Sequence, residues 1–409
     1  MKIVFLAPEF YKTWGGVGIY SLELIKELSK IKELDIHVIT PKTESSQIAQ
    51  NNESTLEDKI TVHSISTARD NFYYNFKFQI AILRNFKGLS NKHNFNLIHS
   101  ANLVNMPDIF LKFTNNKIPS ITTVHTTING QINGFLKSNL DPIKMAQSER
   151  LSLLAYPGIR SLEWIYLKRT RNLITVSNKF KDILYKNYKY SGKITSIHNG
   201  IDTKKYDFNN IDPSKAYELF PTLEGINKPI ILYAGRIITQ KGIDDFIKSM
   251  KFIQASGYNF HYLIAGKGDF HRLNKLITKN NLNRKNISYL GYVENQKLKY
   301  LYRLADIFVL PSYYENLPIS LLEAMSMRCS CIATNVGAID EVIDDNINGI
   351  IINPGDPKNL AKTIINLALN KDLCKKFGLN GQKKILKNFR SEVMAKKTYE
   401  VYKNIIHET

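Results

Sequence analysis

Short apolar runs rich in β-branched and aromatic residues alternate along this chain with longer segments whose apolar positions recur at three- and four-residue spacing. That is the pattern of βαβ units wound around a parallel sheet. It occurs twice. In the first half the runs 2–7, 35–40, 59–65, 97–100, 120–124, 172–176 and 194–197 predict strands, and in the second half 229–234, 260–265, 286–290, 307–310, 330–333 and 349–352 do so. Between 17 and 31, Val17, Tyr20, Leu24, Leu28 and Ile31 share one face of a predicted helix lying on the first sheet, with Gly15, Gly16, Val17 and Gly18 at its entrance. The segment 202–228 carries Asn209, Asn210, Pro213, Pro221 and Gly225 as breakers and no strand-like run, so the domain boundary is expected there. The organisation that follows is an N-terminal Rossmann-like domain over 1–204, a linker over 205–228 and a C-terminal Rossmann-like domain over 229–390. The remainder, 391–409, is helical in composition with no strand to serve, and is expected to return to the first domain.

At 409 residues the chain is longer than one hydrophobic core usually supports, which agrees with two domains. The first apolar run, Ile3 to Ala7, meets Pro8 and Glu9 and lacks the length of a signal-peptide core, and no stretch approaches the roughly 18 apolar residues that cross a bilayer. A soluble or peripheral, cytoplasmic protein is expected. Cys329, Cys331 and Cys374 are the only cysteines; the first two alternate on one predicted strand, a placement that seldom bridges. No paired Cys/His spacing of the zinc-site kind occurs, so no metal is expected.

The formal net charge of +20 predicts attraction to nucleotides, acidic lipid or nucleic acid without choosing among them, and both halves carry the excess. The densest segment, 168–193, sets Lys168, Arg169, Arg171, Lys179, Lys181, Lys186, Lys189 and Lys193 against Asp182 alone. It reads as a solvated helix face, or, with Phe180, Leu184, Tyr185, Tyr188 and Tyr190 interleaved, as a surface that rests on an anionic membrane.

Two strand-to-helix junctions carry candidate chemistry. After the run 229–234 come Gly235, Arg236 and, further on, Lys241 and Gly242, then a helical segment from Ile243. Cations at the carboxyl end of a parallel strand, beside a helix N-terminus, suit a diphosphate; two surface cations flanking a turn are the alternative. After the run 307–310 come Glu315, Asn316 and Leu317, with Pro318 suited to the first helical position and Glu323 on the helix that follows. A carboxylate accepts two hydrogen bonds from vicinal hydroxyls, as a hexose or a ribose offers, so one glutamate can meet a sugar and the other a nucleoside. Both could instead be helix-end glutamates that stabilise a dipole.

The chain resembles the retaining glycosyltransferases of family 4, which have the GT-B fold of two Rossmann-like domains facing across a cleft. The resemblance rests on an ordered set of motifs spanning nearly the whole length. They are Gly15-Gly16-Val17-Gly18, Thr123-Val124-His125, His198-Asn199-Gly200-Ile201-Asp202, Ala234-Gly235-Arg236 with Lys241-Gly242, Gly266-Lys267-Gly268, Leu290-Gly291, and the Glu-x7-Glu pattern from Glu315 to Glu323. The resemblance implies that Arg236 and Lys241 neutralise the donor diphosphate in place of a metal ion. It implies also that Glu315 and the amides of Asn316 and Leu317 hold sugar and phosphates, and that Glu323 holds the ribose. Gly16 would approach the phosphates and His125 would lie near the transferred sugar. Two departures stand out: the usual Glu-Gly-Phe/Leu is Glu315-Asn316-Leu317, and the usual Gly-x-Pro after the helix is Arg328-Cys329-Ser330.

The implied reaction moves a hexose-type sugar from a nucleotide-diphosphate sugar to an acceptor hydroxyl with retention, in glycolipid, polysaccharide or glycoconjugate synthesis. The acceptor would be lipid-linked or a glycan, and the basic segment would contact the inner face of a membrane. Rival readings are a GT-B epimerase or phosphorylase, which product analysis with and without acceptor separates, and a basic nucleic-acid-binding protein. The last lacks any recognised binding motif, so no nucleic-acid partner is expected.

Overall fold

The computed structural model describes residues 1–10, 15–42, 60–67, 74–137 and 147–408. The chain divides into two compact units, one made of 1–129, 156–200 and 390–409, the other of 130–155 and 201–389.

The first unit is built on seven parallel strands: β1 (Lys2–Leu6), β2 (Asp35–Lys42), β3 (Ile60–Thr67), β4 (Leu97–Ser100), β5 (Ser120–Val124), β6 (Asn172–Thr175) and β7 (Lys193–Ser196). Their order is β3-β2-β1-β4-β5-β6-β7. Each predicted run finds its strand, displaced by a residue or two at the ends; Lys59, the predicted start of the third, lies outside the described residues. The central strands are apolar at successive positions because helices cover both faces of a parallel sheet. Val4, Phe5 and Leu6 of β1 are fully buried. The helix Gly16–Leu28 buries Tyr20, Leu24 and Leu28 as its spacing predicts, and ends short of Ile31, where the Ser29 hydroxyl donates to the Lys26 carbonyl.

The last helix, Ser391–His407, belongs to this unit. Tyr402 is fully buried, with its hydroxyl 2.5 Å from Nδ1 of His99 on β4. Nε2 of His99 lies 2.7 Å from the Thr123 hydroxyl on β5, which is in turn 3.0 Å from the hydroxyl of Tyr20. One buried chain of polar groups thus ties the last helix, two strands and the first helix together. Burial pushes the His99 imidazole down to about 3, so it stays neutral.

The basic segment differs from one expectation. Its helix, Asn178–Tyr188, is capped by Ser177, whose side chain accepts from the Phe180 amide, and it turns Phe180 and Leu184 into a core with Leu173, Ile194 and Tyr190. Of the apolar residues expected at a membrane surface, Phe180, Leu184 and Tyr190 are therefore interior. Phe180 and Leu184 are four apart and so share one helix face, which is the face the sheet covers.

The second unit has six parallel strands, β8 (Ile230–Ala234), β9 (His261–Ala265), β10 (Ile287–Gly291), β11 (Ile307–Leu310), β12 (Ser330–Thr334) and β13 (Ile350–Ile352), in the order β10-β9-β8-β11-β12-β13. Ile231, Phe246, Ile264, Val309 and Ile332 are among the residues of its core. Cys329 and Cys331 are buried and unbridged. The segment expected as a linker, 205–228, instead packs into this unit as short turns of helix, with Tyr206, Ala216 and Leu223 buried. Its polar residues make the turns rather than loosen the chain: Asp202, Asp207 and Asp212 accept backbone N–H groups of Lys204 and Lys205, of Asn209, and of Ser214. The ring of Phe208 lies under the guanidinium groups of Arg303 and Arg328, at 3.8 and 4.6 Å.

A neutral buried His99 links stability to pH. Its folded value of about 3 lies below the 6.5 of the unfolded chain, so the unfolded state binds the extra proton between those values. Stability from this group is complete above pH 6.5 and is lost as pH falls toward 3. Thermal unfolding followed from pH 7.5 to 5 should show a steeper loss in the native protein than in His99→Gln; parallel curves would show that His99 is not the linked group.

Candidate functional site

In the second sheet the strand order reverses between β8 and β11, which pair with each other while their following connections run to opposite sides. The loops leaving the carboxyl ends of two such strands diverge and open a crevice, the usual place for a ligand on an open parallel sheet. Both candidate junctions of the sequence lie there.

The loop after β8 is braced by the loop after β9: the Gly235 amide donates to the Ala265 carbonyl at 2.9 Å and the Ile237 amide to the Lys267 carbonyl at 2.9 Å. It then meets the loop after β11, where the Tyr313 amide donates to the Gln240 carbonyl at 2.9 Å. That approach requires Gly242. Its φ is +69°, and a Cβ would lie 1.8 Å from the Pro311 carbonyl oxygen. Gly235 itself has room for a side chain; the crowding is at Gly266, where a Cβ would lie 1.7 Å from the Gly235 carbonyl oxygen.

These backbones bring together residues 74 apart. The Lys241 ammonium donates to Glu315 Oε1 at 2.6 Å, and the buried Ser312 hydroxyl donates to the same oxygen at 2.8 Å. Lys241 keeps partial exposure and Glu315 is nearly buried, with side chains 21% and 7% accessible, so the pair sits at the wall of the crevice. Arg236 is exposed, and its carbonyl accepts the Tyr233 hydroxyl at 2.8 Å.

The helix Ile243–Ala255 starts beside this pair with Asp244 and Asp245 in its first turn. Those carboxylates already meet much of its dipole. Asp244 is in turn held by Arg272 at 2.5 Å, which also donates to the Thr239 hydroxyl, and Asp245 accepts the Tyr313 hydroxyl at 2.6 Å. Arg272 is tied to Asp244 and Thr239 through one nitrogen, Nη2, so the sequence's two candidate cations, Arg236 and Lys241, are the ones that flank this crevice without an acidic partner on the helix.

Glu323 occupies a different environment on the helix Ile319–Ser326. It is 2% exposed; Oε1 accepts from the Tyr206 hydroxyl at 2.8 Å and the Asn295 amide at 3.1 Å, and Oε2 accepts from the Tyr302 hydroxyl at 3.1 Å. Burial raises its carboxyl above the usual range, against the opposing pull of Tyr206, Lys205, Asn295 and Tyr302. Lys205 also hydrogen-bonds the side chain of Asn295. Asn316 and Leu317 are buried, and the Asn316 carbonyl accepts the Ala338 amide. Tyr206, Asn295, Tyr302 and Ser312 escape sequence reasoning. Tyr206 had one available signal, an aromatic residue four positions after Asp202 in an otherwise polar stretch.

Gly16 and His125 belong to the first unit. Gly16 opens the first helix, is exposed, and a Cβ there would meet none of the described residues within 4 Å, so packing against the described residues does not demand glycine there. His125 follows β5 with its ring edge-on to Tyr20 at 4.4 Å between centroids. Burial pushes its imidazole down to about 3, against a hydrogen bond to the Ala101 backbone that acts the other way. It is a neutral ring at neutral pH.

A sequence family described as Glycosyltransferase Family 4 matches residues 14–205, and one described as Glycosyl transferases group 1 matches 218–384, so together they cover most of the chain. The chain belongs to glycosyltransferase family 4. An uncharacterized glycosyltransferase of Methanocaldococcus jannaschii is 27% identical to this family member over 290 residues, 70% of each chain. Sucrose-phosphate synthase from Thermosynechococcus elongatus matches 100% of both chains with a TM-score of 0.79 at 20% identity. The Anabaena protein HepE, solved in complex with UDP-glucose, matches 99% of this chain and 100% of its own with a TM-score of 0.71 at 18% identity. The fold is GT-B, as the motifs of this family 4 chain imply.

Tyr206→Phe removes one of three donors from a buried carboxylate without changing shape. It should lower unfolding stability by about 1–3 kcal/mol. Chemical denaturation checks this, and a change below ~0.5 kcal/mol would mean that the hydroxyl does not support Glu323.

Proposed function

We propose that this family 4 enzyme transfers a hexose from a nucleoside-diphosphate sugar to an acceptor hydroxyl with retention of configuration, and that its own cations, not a metal ion, take the charge of the departing diphosphate. The observation that carries the reading is the 2.6 Å contact between Lys241 and Glu315 at the switch point of the second sheet. An ammonium has three protons, and one is given to Glu315, so two remain for phosphate oxygens. Lys241 and Ser312 both engage Oε1, which leaves Oε2 of Glu315 to accept from a sugar hydroxyl. One charge pair thus has a phosphate side and a sugar side. Arg236 adds the second cation.

In the transfer the bond from the anomeric carbon to the diphosphate oxygen breaks, and a bond to the acceptor oxygen forms on the same face. The acceptor proton passes to the departing phosphate. Preorganised charge on the leaving group is then the main source of acceleration. Asn316 and Leu317, with their side chains buried, would meet the donor through backbone amides, and Glu323 would take the ribose hydroxyls, with Tyr206, Asn295 and Tyr302 fixing its position. Gly16 suits a close approach of phosphate because packing against the described residues does not require it. His125, neutral, suits a hydrogen bond to a sugar hydroxyl and not proton transfer from an imidazolium. The structure of HepE with UDP-glucose makes that the first donor to test. The acceptor is a hydroxyl of a glycan or a lipid-linked sugar. Among the described residues no helix is long and apolar enough to cross a membrane. With Phe180 and Leu184 interior, contact of the basic helix with a lipid surface would be electrostatic and lost at high salt.

Arg236→Ala and Lys241→Ala should each lower kcat by roughly 10²–10³-fold with the fold retained. Turnover of the native enzyme should survive exhaustive chelation when assayed well below its Tm. Wild-type kcat in either variant, or strict dependence on added divalent ion, overturns the assignment.

The two glutamates should separate by readout. Glu315→Gln should act chiefly on kcat, whereas Glu323→Gln should weaken binding of free nucleoside diphosphate, with a loss of stability because the new amide donor faces groups that already donate. Calorimetry with the diphosphate alone distinguishes them, and equal losses of affinity in both would reverse the roles.

A further inference from the structure

Three histidines converge in the first unit, away from every residue assigned above. His37 is on β2, His63 on the edge strand β3, and His93 closes the helix Tyr74–His93. The register explains how they meet. Ile39 pairs with His63 across the two strands, and His37 lies two residues before Ile39, so both imidazoles leave the same face of the sheet. The end of the helix brings His93 over that face: its ring centroid is 4.5 Å from that of His37 and 5.1 Å from that of His63. One ligand atom from each ring can be chosen so that all lie within 4.8 Å of one another.

We propose that His37, His63 and His93 form a binding site for a late first-row divalent cation of the Zn²⁺ class, with three imidazole nitrogens and one open position for water. Nδ1 of His37 and Nε2 of His63 are 2.9 Å apart. Two nitrogens bound to one zinc at ~2.0–2.1 Å in tetrahedral geometry are about 3.3 Å apart, so a shift of a few tenths of an ångström converts the hydrogen-bonded pair into two ligands. The outer contacts fit as well. Asp35 Oδ1 is 3.4 Å from Nε2 of His37, the position from which a carboxylate orients a ligating ring and leaves the other nitrogen to the metal. Phe95 walls the cluster, stacked on His93 and edge-on to His37.

Lys2, which pairs with Asp35 at 3.9 Å, and Lys92, next to His93, oppose a cation. Lys2 is half-exposed, where water and salt screen its repulsion. The alternative is three packed imidazoles with no ion. Imidazole ligands favour zinc, copper or nickel over magnesium or calcium. Bound there, the ion would clamp the edge strand β3 to β2 and to the end of the helix. It is separate from donor chemistry, since none of the three residues belongs to the donor set.

The test uses the full chain without a histidine tag, stripped by chelator and titrated with ZnSO4 by calorimetry, alongside His63→Gln and His93→Gln. The native protein should bind one equivalent at micromolar or tighter affinity and gain several degrees in Tm, and each variant should lose at least ten-fold in affinity. Circular dichroism establishes that the variants are folded; should His63→Gln unfold, the helix-end change His93→Gln carries the comparison. No saturable binding by the native protein, or binding equal in native and folded variants, overturns the site.

Discussion

The reversal of strand order between β8 and β11 is the constraint on which the proposed donor site depends. Parallel strands must be joined by long crossovers, and neighbouring loops diverge only where successive crossovers go to opposite faces of the sheet. At that point Gly242 allows the backbone after β8 to touch the backbone after β11, and Lys241 reaches Glu315. Were the chain to wind in one direction only, these residues would face separate helices. The same order of strands recurs in the first unit, where β1 and β4 are neighbours.

Much of this was legible because it rests on local signals. Central strands buried on both faces read as apolar runs, and short runs rich in β-branched and aromatic residues located all thirteen described strands. Lys241, Glu315 and Glu323, the residues of the proposed donor site, stood out from their place at strand-to-helix junctions and from the resemblance that the Glu-x7-Glu pattern carries. The supports of those residues did not. Tyr206, Asn295 and Tyr302 converge on Glu323 from three separate segments, and no periodicity links them. The segment 205–228 was read as a linker because its apolar residues are too sparse to form a period, yet its aspartates cap turns and Tyr206 is buried. In the helix Asn178–Tyr188 the density of lysines drew attention to charge, whereas the i, i+4 pair Phe180 and Leu184 determined which face turned inward.

The first unit carries its own instance of distant residues made adjacent. Tyr402 comes from the last helix and Tyr20, His99 and Thr123 from the first third of the chain, and each is buried with its polar atom met by the next. Such a network is costly when half satisfied. The last helix is therefore fastened to the first unit by a polar contact in its interior as well as by apolar packing. Strand register gathers His37 and His63, and the end of the helix Tyr74–His93 brings His93 over them, which is why no short spacing announced the three.

The pairing of Lys241 with Glu315 bears on what happens when the sugar has gone. On the proposed roles, Glu315 would face hydroxyls while the donor is bound. After transfer the hydroxyls would leave with the acceptor, and the same carboxylate would be left beside a nucleoside diphosphate whose charge it repels. Lys241 would then be shared between two anions instead of bridging an anion and a sugar contact. The pair that steadies the full donor would thereby loosen the spent one, giving turnover an exit that a site built of cations alone would lack.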